Sequence, residues 1–203
     1  MTTVASPPKV PPTAALPPRP IATRGPEPKP AETGAWVAIA TISMSFAALT
    51  SAMVVRASAA PDWQHFRLPP ILYFNTLVLL SSSITLATAR RRITAVSALE
   101  GLRGLYLTLG LGVLFVSGQV VAWRQLAAQG LFLATSPSSA FFYLFTALHG
   151  LHVVGGLAGL MYVLQRLRRV GPVPTTALGA AALYWHFMDV LWLYLLAILI
   201  IRV

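Results

Sequence analysis

Charged residues in this chain fall in short intervals, separated by long stretches that carry no formal charge. The first such stretch, 34–55, has 22 residues. At about 1.5 Å of rise per residue, 22 residues make roughly 33 Å of helix, enough to cross a hydrocarbon layer of about 30 Å. A second run covers 68–89, and Pro69 and Pro70 at its beginning suit a helix start, where their missing N–H groups have no intrahelical bond to lose. Further runs cover 104–123, 140–165 and 175–201, the last with Asp189 as its single acid. The pattern predicts an all-α integral membrane bundle, with five transmembrane helices in one domain over 34–203. Residues 1–33 read differently, because they hold ten of the sixteen prolines and no apolar period that could drive packing. A disordered cytoplasmic tail is expected there. Pro7, Pro8, Pro11, Pro12, Pro17 and Pro18 interrupt every candidate signal-sequence core, so the tail is expected to be retained.

Sidedness follows from the loops, where Lys and Arg stay on the cytoplasmic side. Eleven of the fifteen Lys and Arg fall in the tail and in the loops between spans two and three and between spans four and five. Arg56, Arg67, Arg124 and Arg202 fall on the other side. The expected N-terminus is therefore cytoplasmic and the C-terminus outside, as in a multi-pass protein of the bacterial inner membrane. Composition agrees, with 56% apolar residues, 10% charged and a mean hydropathy of +0.71. A net charge of +10 on a soluble chain would suggest nucleic acid, but here topogenic charge explains it and no nucleic-acid partner is expected. The absence of Cys excludes a disulfide framework, a covalently attached c-type haem, an iron–sulfur cluster and a thiolate copper centre.

Three features could carry chemistry. In the fourth span His149 and His152 lie three residues apart, about one helical turn, followed by Gly155, Gly156 and Gly159, whose i, i+4 pair Gly155 and Gly159 suits a close helix seam. Metal or haem ligation is one reading of the two His, but no Glu or Cys stands nearby and two ligands on one helix do not flank a haem. Interhelical hydrogen bonding is preferred. In the fifth span His186 and Asp189 can meet at i, i+3, and an intramembrane carboxylate is costly unless paired. Proton relay is the sharper reading, and a pair that fixes register or docks a subunit is the preferred one. Arg90, Arg91 and Arg92, with Arg166, Arg168 and Arg169, could hold anionic lipid headgroups. Trp36, Trp63, Trp123, Trp185 and Trp192 are expected in interfacial belts, and Gly101, Gly104, Gly110, Gly112 and Gly118 on a packing face.

Residues 141–156, reading FFYLFTALHGLHVVGG, resemble a signature of subunit III of the haem-copper oxidases, and Tyr184 to Trp192 resemble its last-helix signature. Asn75 to Ser83 are similar to its second-span pattern in the shorter five-helix bacterial form, so the resemblance covers about 34–201. It implies a subunit that packs on the catalytic subunit I of a cytochrome c oxidase, with subunit II beside it, binds phospholipid and supports sustained proton-coupled oxygen reduction. Haem and copper would lie in those partners and none in this chain, whose four His are too few for a catalytic haem-copper centre. His149, His152, His186, Asp189 and Gln119 would be structural polar positions inside the membrane. Two departures stand out. The family's first-span Glu falls on Ile42, and its Glu after the position of Gln119 falls on Ala122.

Other classes stay open at this point. A subunit of a quinol oxidase or of a nitric oxide reductase would share the resemblance, and the complex could sit in a larger respiratory supercomplex. A b-type haem anchor would clamp one haem between His152 and His186. A small transporter would use Asp189 as a proton or ion site, although no inverted repeat supports it.

Overall fold

A computed structural model describes residues 30–59, 61–95, 98–170 and 175–202. They form α1 (Pro30–Ala59), α2 (Ile71–Ala95), α3 (Ala98–Ala128), α4 (Pro137–Val170) and α5 (Thr175–Arg202), with no strand among the described residues. All five are long and apolar enough to cross a membrane. At 25 to 34 residues they overrun the uncharged stretches, because a charge ends the hydrocarbon segment of a helix without ending its backbone ladder. Thus α1 begins at Pro30, inside the segment assigned to the tail, with the proline at the first helical position. The rest of that expected tail, 1–29, lies outside the described residues, as does 171–174 between α4 and α5.

Local sequence sets the helix ends. The carbonyls of Pro69 and Pro70 accept the N–H groups of Leu72 and Tyr73 at 3.1 Å, so α2 starts just after the two prolines and not at 68. After α3, Gly130 takes a left-handed φ of 79°, and the Gly130 and Leu131 N–H groups bond back to Ala127 and Leu126. Those two bonds close the last turn of α3 on its own carbonyls. Before α4, Ser136 and Ser139 each accept the other's backbone N–H through the side-chain oxygen, and Pro137 follows the cap.

The helices are consecutive antiparallel spans. α2 and α3 form the tightest pair, and α3 also packs on α4. α5 is central, in contact with α1, α2 and α4. The backbone of α1 approaches only α5 and α4 among the described residues, and α1 buries just Ile42, Phe46 and Met53, so α1 and α2 lie apart along their backbones. Glycines permit the close approaches. A Cβ on Gly104 would stand 2.7 Å from that of Ala89, and one on Gly118 would stand 2.0 Å from the Asn75 Oδ1. On α4 the seam differs from the expected one, since a Cβ on Gly156 would stand 3.1 and 3.2 Å from Tyr184 and Trp185 while one on Gly159 would face open space. Gly110, placed on the packing face by the sequence, is likewise open.

Gly118→Ala is expected to destabilise the bundle by about 1–3 kcal/mol through overpacking against Asn75. Gly110→Ala, with nothing within 4 Å, should leave the unfolding midpoint in mixed micelles unchanged or slightly raised. Equal midpoints for the two variants would remove the close approach of α2 and α3 from the account.

Candidate functional site

Hydrocarbon offers polar side chains no partner, so those inside the spans must find one within the protein. Three tryptophans solve this in the same way. Trp185 donates its Nε1–H to Ser82 Oγ at 3.0 Å, Trp192 to Thr76 Oγ1 at 3.0 Å, and Trp123 to Thr146 Oγ1 at 2.9 Å. Each accepting hydroxyl gives its own proton to a carbonyl one turn back in its helix, at Leu79, Leu72 and Phe142 respectively. A hydroxyl is thereby satisfied as donor locally and as acceptor across the helix interface. Trp185 and Trp192 are 1% and 0% exposed, which corrects their expected place in an interfacial belt: they are the largest core side chains, and the indole N–H is served inside.

Between the two α2–α5 rungs lies the ionisable cluster. Asp189 is buried, and Ser83 Oγ of α2 donates to its Oδ2. The same oxygen meets His186 Nδ1, which lies 3.9 Å from the carboxylate. One hydroxyl has one proton, and it goes to the carboxylate, so Nδ1 must carry the hydrogen of the second bond. The pair expected at i, i+3 is therefore real but works through a serine on another helix. His186 keeps 43% of its side chain exposed, against 6% for Asp189.

His149 and His152 separate. Three residues turn a helix by about 300°, not a full circle, so the two rings diverge. His149 is fully buried between Phe115, with ring centres 5.9 Å apart, and Trp192, at 5.2 Å. Neither of its ring nitrogens meets a hydrogen-bond partner, so aromatic packing replaces the expected interhelical bond. His152 turns toward α1, its ring 6.0 Å from Phe46, and its Nδ1 lies 2.7 Å from the Leu148 carbonyl of its own helix. Gln119 is buried with both amide atoms unpartnered, as is Asn75 Nδ2. Ile42 and Ala122, at 6% and 0% exposure, fill the core where the resemblance places carboxylates.

The six arginines are all exposed at one end of the bundle. Arg166 donates to the Tyr162 hydroxyl at 3.1 Å, and Gln165, Arg168 and Arg169 line a cavity of about 360 Å³. Arg90 Nη2 reaches over Gly179 of α5 beside Glu32 of α1. Among the described residues no three His, Asp or Glu side chains gather as a metal site. The b-haem reading needs His152 and His186 to converge, but one is directed to α1 and the other is bonded to α2.

Such a chain is a multi-pass membrane protein in which several polar side chains bridge neighbouring helices. Residues 39–202 match the family "Cytochrome c oxidase subunit III", and the chain belongs to that family. The "Probable cytochrome c oxidase subunit 3" of Mycobacterium tuberculosis is 34% identical over 158 residues, covering 71% of this chain and 73% of its own length. That of Mycobacterium leprae is 33% identical over 181 residues, 82% of this chain and 85% of its own. The "Cytochrome c oxidase subunit 3" of Synechocystis is 31% identical over 160 residues, 75% and 67% of the two chains.

Sequence reasoning passed over Thr76, Ser82 and Ser83 as site residues. The available signal was their spacing: Thr76 and Ser83 are seven apart in an uncharged span, hence on one helical face. Ser83→Ala should weaken the bundle by about 1 kcal/mol, read as a lower unfolding midpoint in mixed micelles. Ser81→Ala, an exposed hydroxyl bonded only to the Leu77 carbonyl of its own helix, should change it little. Equal effects would mean that the α2–α5 cluster contributes no stability.

Proposed function

We infer that this chain serves as the non-catalytic subunit III of a bacterial cytochrome c oxidase, packed on the haem-copper catalytic subunit with subunit II in the same complex. The observation that carries the reading is the family match over 39–202, which takes in nearly the whole helical bundle. Relatives that bear the name cytochrome c oxidase support cytochrome c as the electron donor over quinol, and oxygen over nitric oxide as the acceptor. The arginine-rich end faces the cytoplasm of the inner membrane by the distribution of positive charge. There the exposed Arg90, Arg91, Arg92, Arg166, Arg168 and Arg169 suit phospholipid headgroups. The subunit contributes a rigid surface. Its packed polar cluster fixes one arrangement of helices against which the catalytic subunit keeps its own shape and its lipid through many turnovers.

Affinity purification of the tagged chain from its native membrane in mild detergent tests this, with mass spectrometry and a reduced-minus-oxidised spectrum of one eluate. A multi-His haem-copper chain, a copper-bearing cytochrome c docking chain and a haem a spectrum are expected. A colourless chain without them contradicts the reading. In the same complex Asp189→Asn should leave the haem spectrum and the initial rate unchanged, yet lower retention of this chain about fivefold. Retention and turnover lifetime equal to the parent's would contradict the structural role of Asp189.

A further inference from the structure

α1 and α2 both lean on α5 while their backbones lie apart, so a strip of α5 is left open between them. Along that strip lie His186, Val190, Leu193 and Ala197, on one face at helical spacing. Val190 is 63% exposed and Leu193 42%. On the α1 side the strip widens into a cavity of about 280 Å³ lined by Phe46, Ala47, Phe187 and Tyr194. At the arginine-rich end the side chains of Glu32 and Arg90 both stand over Gly179 and close the strip. At the opposite end the α1–α2 connection passes back over α5, with Trp63 donating to the Arg202 carbonyl at 2.8 Å.

One polar atom opens into this strip. His186 meets Ser83 through Nδ1, which leaves Nε2 on the exposed side of the imidazole with no bond among the described residues. His186 is the twelfth of 28 residues in α5, about 17 Å from its start and so near mid-membrane. At that depth a lipid supplies only acyl chain and water is absent, so neither satisfies a ring nitrogen. We propose that the strip between α1 and α2 docks a transmembrane helix of another subunit, which brings a hydrogen-bonding side chain (a Ser, Thr, Tyr, Asn or Gln) to His186 Nε2. Val190, Leu193 and Ala197 form the apolar floor on which that helix lies. The rung would repeat, between subunits, the indole-to-hydroxyl rungs that join α2 to α5 within the chain. The inference rests on the subunit III reading only for the identity of the complex.

A photo-cross-linking p-benzoylphenylalanine at Val190, in the complex purified from its native membrane, tests it. The expected adduct maps to a single transmembrane segment of a co-purified subunit, within about one turn of a hydrogen-bonding side chain. The same probe at Val113, exposed on α3, should not label that segment. His186→Phe should lower the Val190 yield about three- to tenfold, and His186→Gln, which restores a hydrogen-bonding group, should recover most of it. Lipid adducts alone, an adduct to a second copy of this chain, no adduct, or a yield indifferent to His186→Phe would each overturn the proposal. An eluate with the haem-copper chain but only lipid on Val190 sinks this inference and spares the subunit III reading. A mapped helix adduct without the haem-copper chain does the reverse.

Discussion

Everything in this bundle depends on serving polar side chains without water. An indole N–H left bare in hydrocarbon is costly, and so is a carboxylate or a hydroxyl. Serine and threonine resolve the difficulty because they can donate to a carbonyl of their own helix and still accept from a neighbour. Thr76, Ser82 and Thr146 do so for Trp192, Trp185 and Trp123. The large rings then pack without penalty and become the core: Trp192 stands 5.0 Å from Phe115 and 5.2 Å from His149. Other pairs use the same currency, with Thr85 and Thr108 joining α2 to α3 and Tyr184 reaching the His152 carbonyl of α4.

At the two positions where the family resemblance leads one to expect carboxylates, the chain has apolar side chains. Ile42 and Ala122 are buried in the apolar core, so their positions add packing and demand no partner. The one acid that remains inside the spans, Asp189, is placed where a serine and a histidine already meet it. Polar atoms still unserved lie on Asn75 of α2, Gln119 of α3, His149 of α4 and, at Oδ1, Asp189 of α5.

Five spans were legible from the uncharged runs, since hydrocarbon thickness sets a length that sequence displays directly. Helix ends were not, because Pro30 and Arg92 continue ladders outside the hydrocarbon that the charge pattern cannot mark. Asp189 and His186 were legible as a pair from cost and spacing alone. Ser83 was not, as its contact depends on the rotation of α2 against α5, which tertiary packing decides. The tryptophans misled for a related reason. An indole near a span end reads as interfacial, and only the hydroxyls on another helix reveal that Trp185 and Trp192 face inward. The glycine seam shifted from Gly159 to Gly156 because the bulky Tyr184 and Trp185 set where α5 lies.

Indole-to-hydroxyl rungs couple α2 to α5. A double-mutant cycle on Thr76→Val and Trp192→Phe, read from unfolding of the chain in mixed micelles, measures that coupling directly. A favourable interaction of about 0.5–1.7 kcal/mol is predicted, the range found for hydrogen bonds between membrane helices. Strictly additive single effects would show no coupling through the rung and leave packing alone to hold α5 in place.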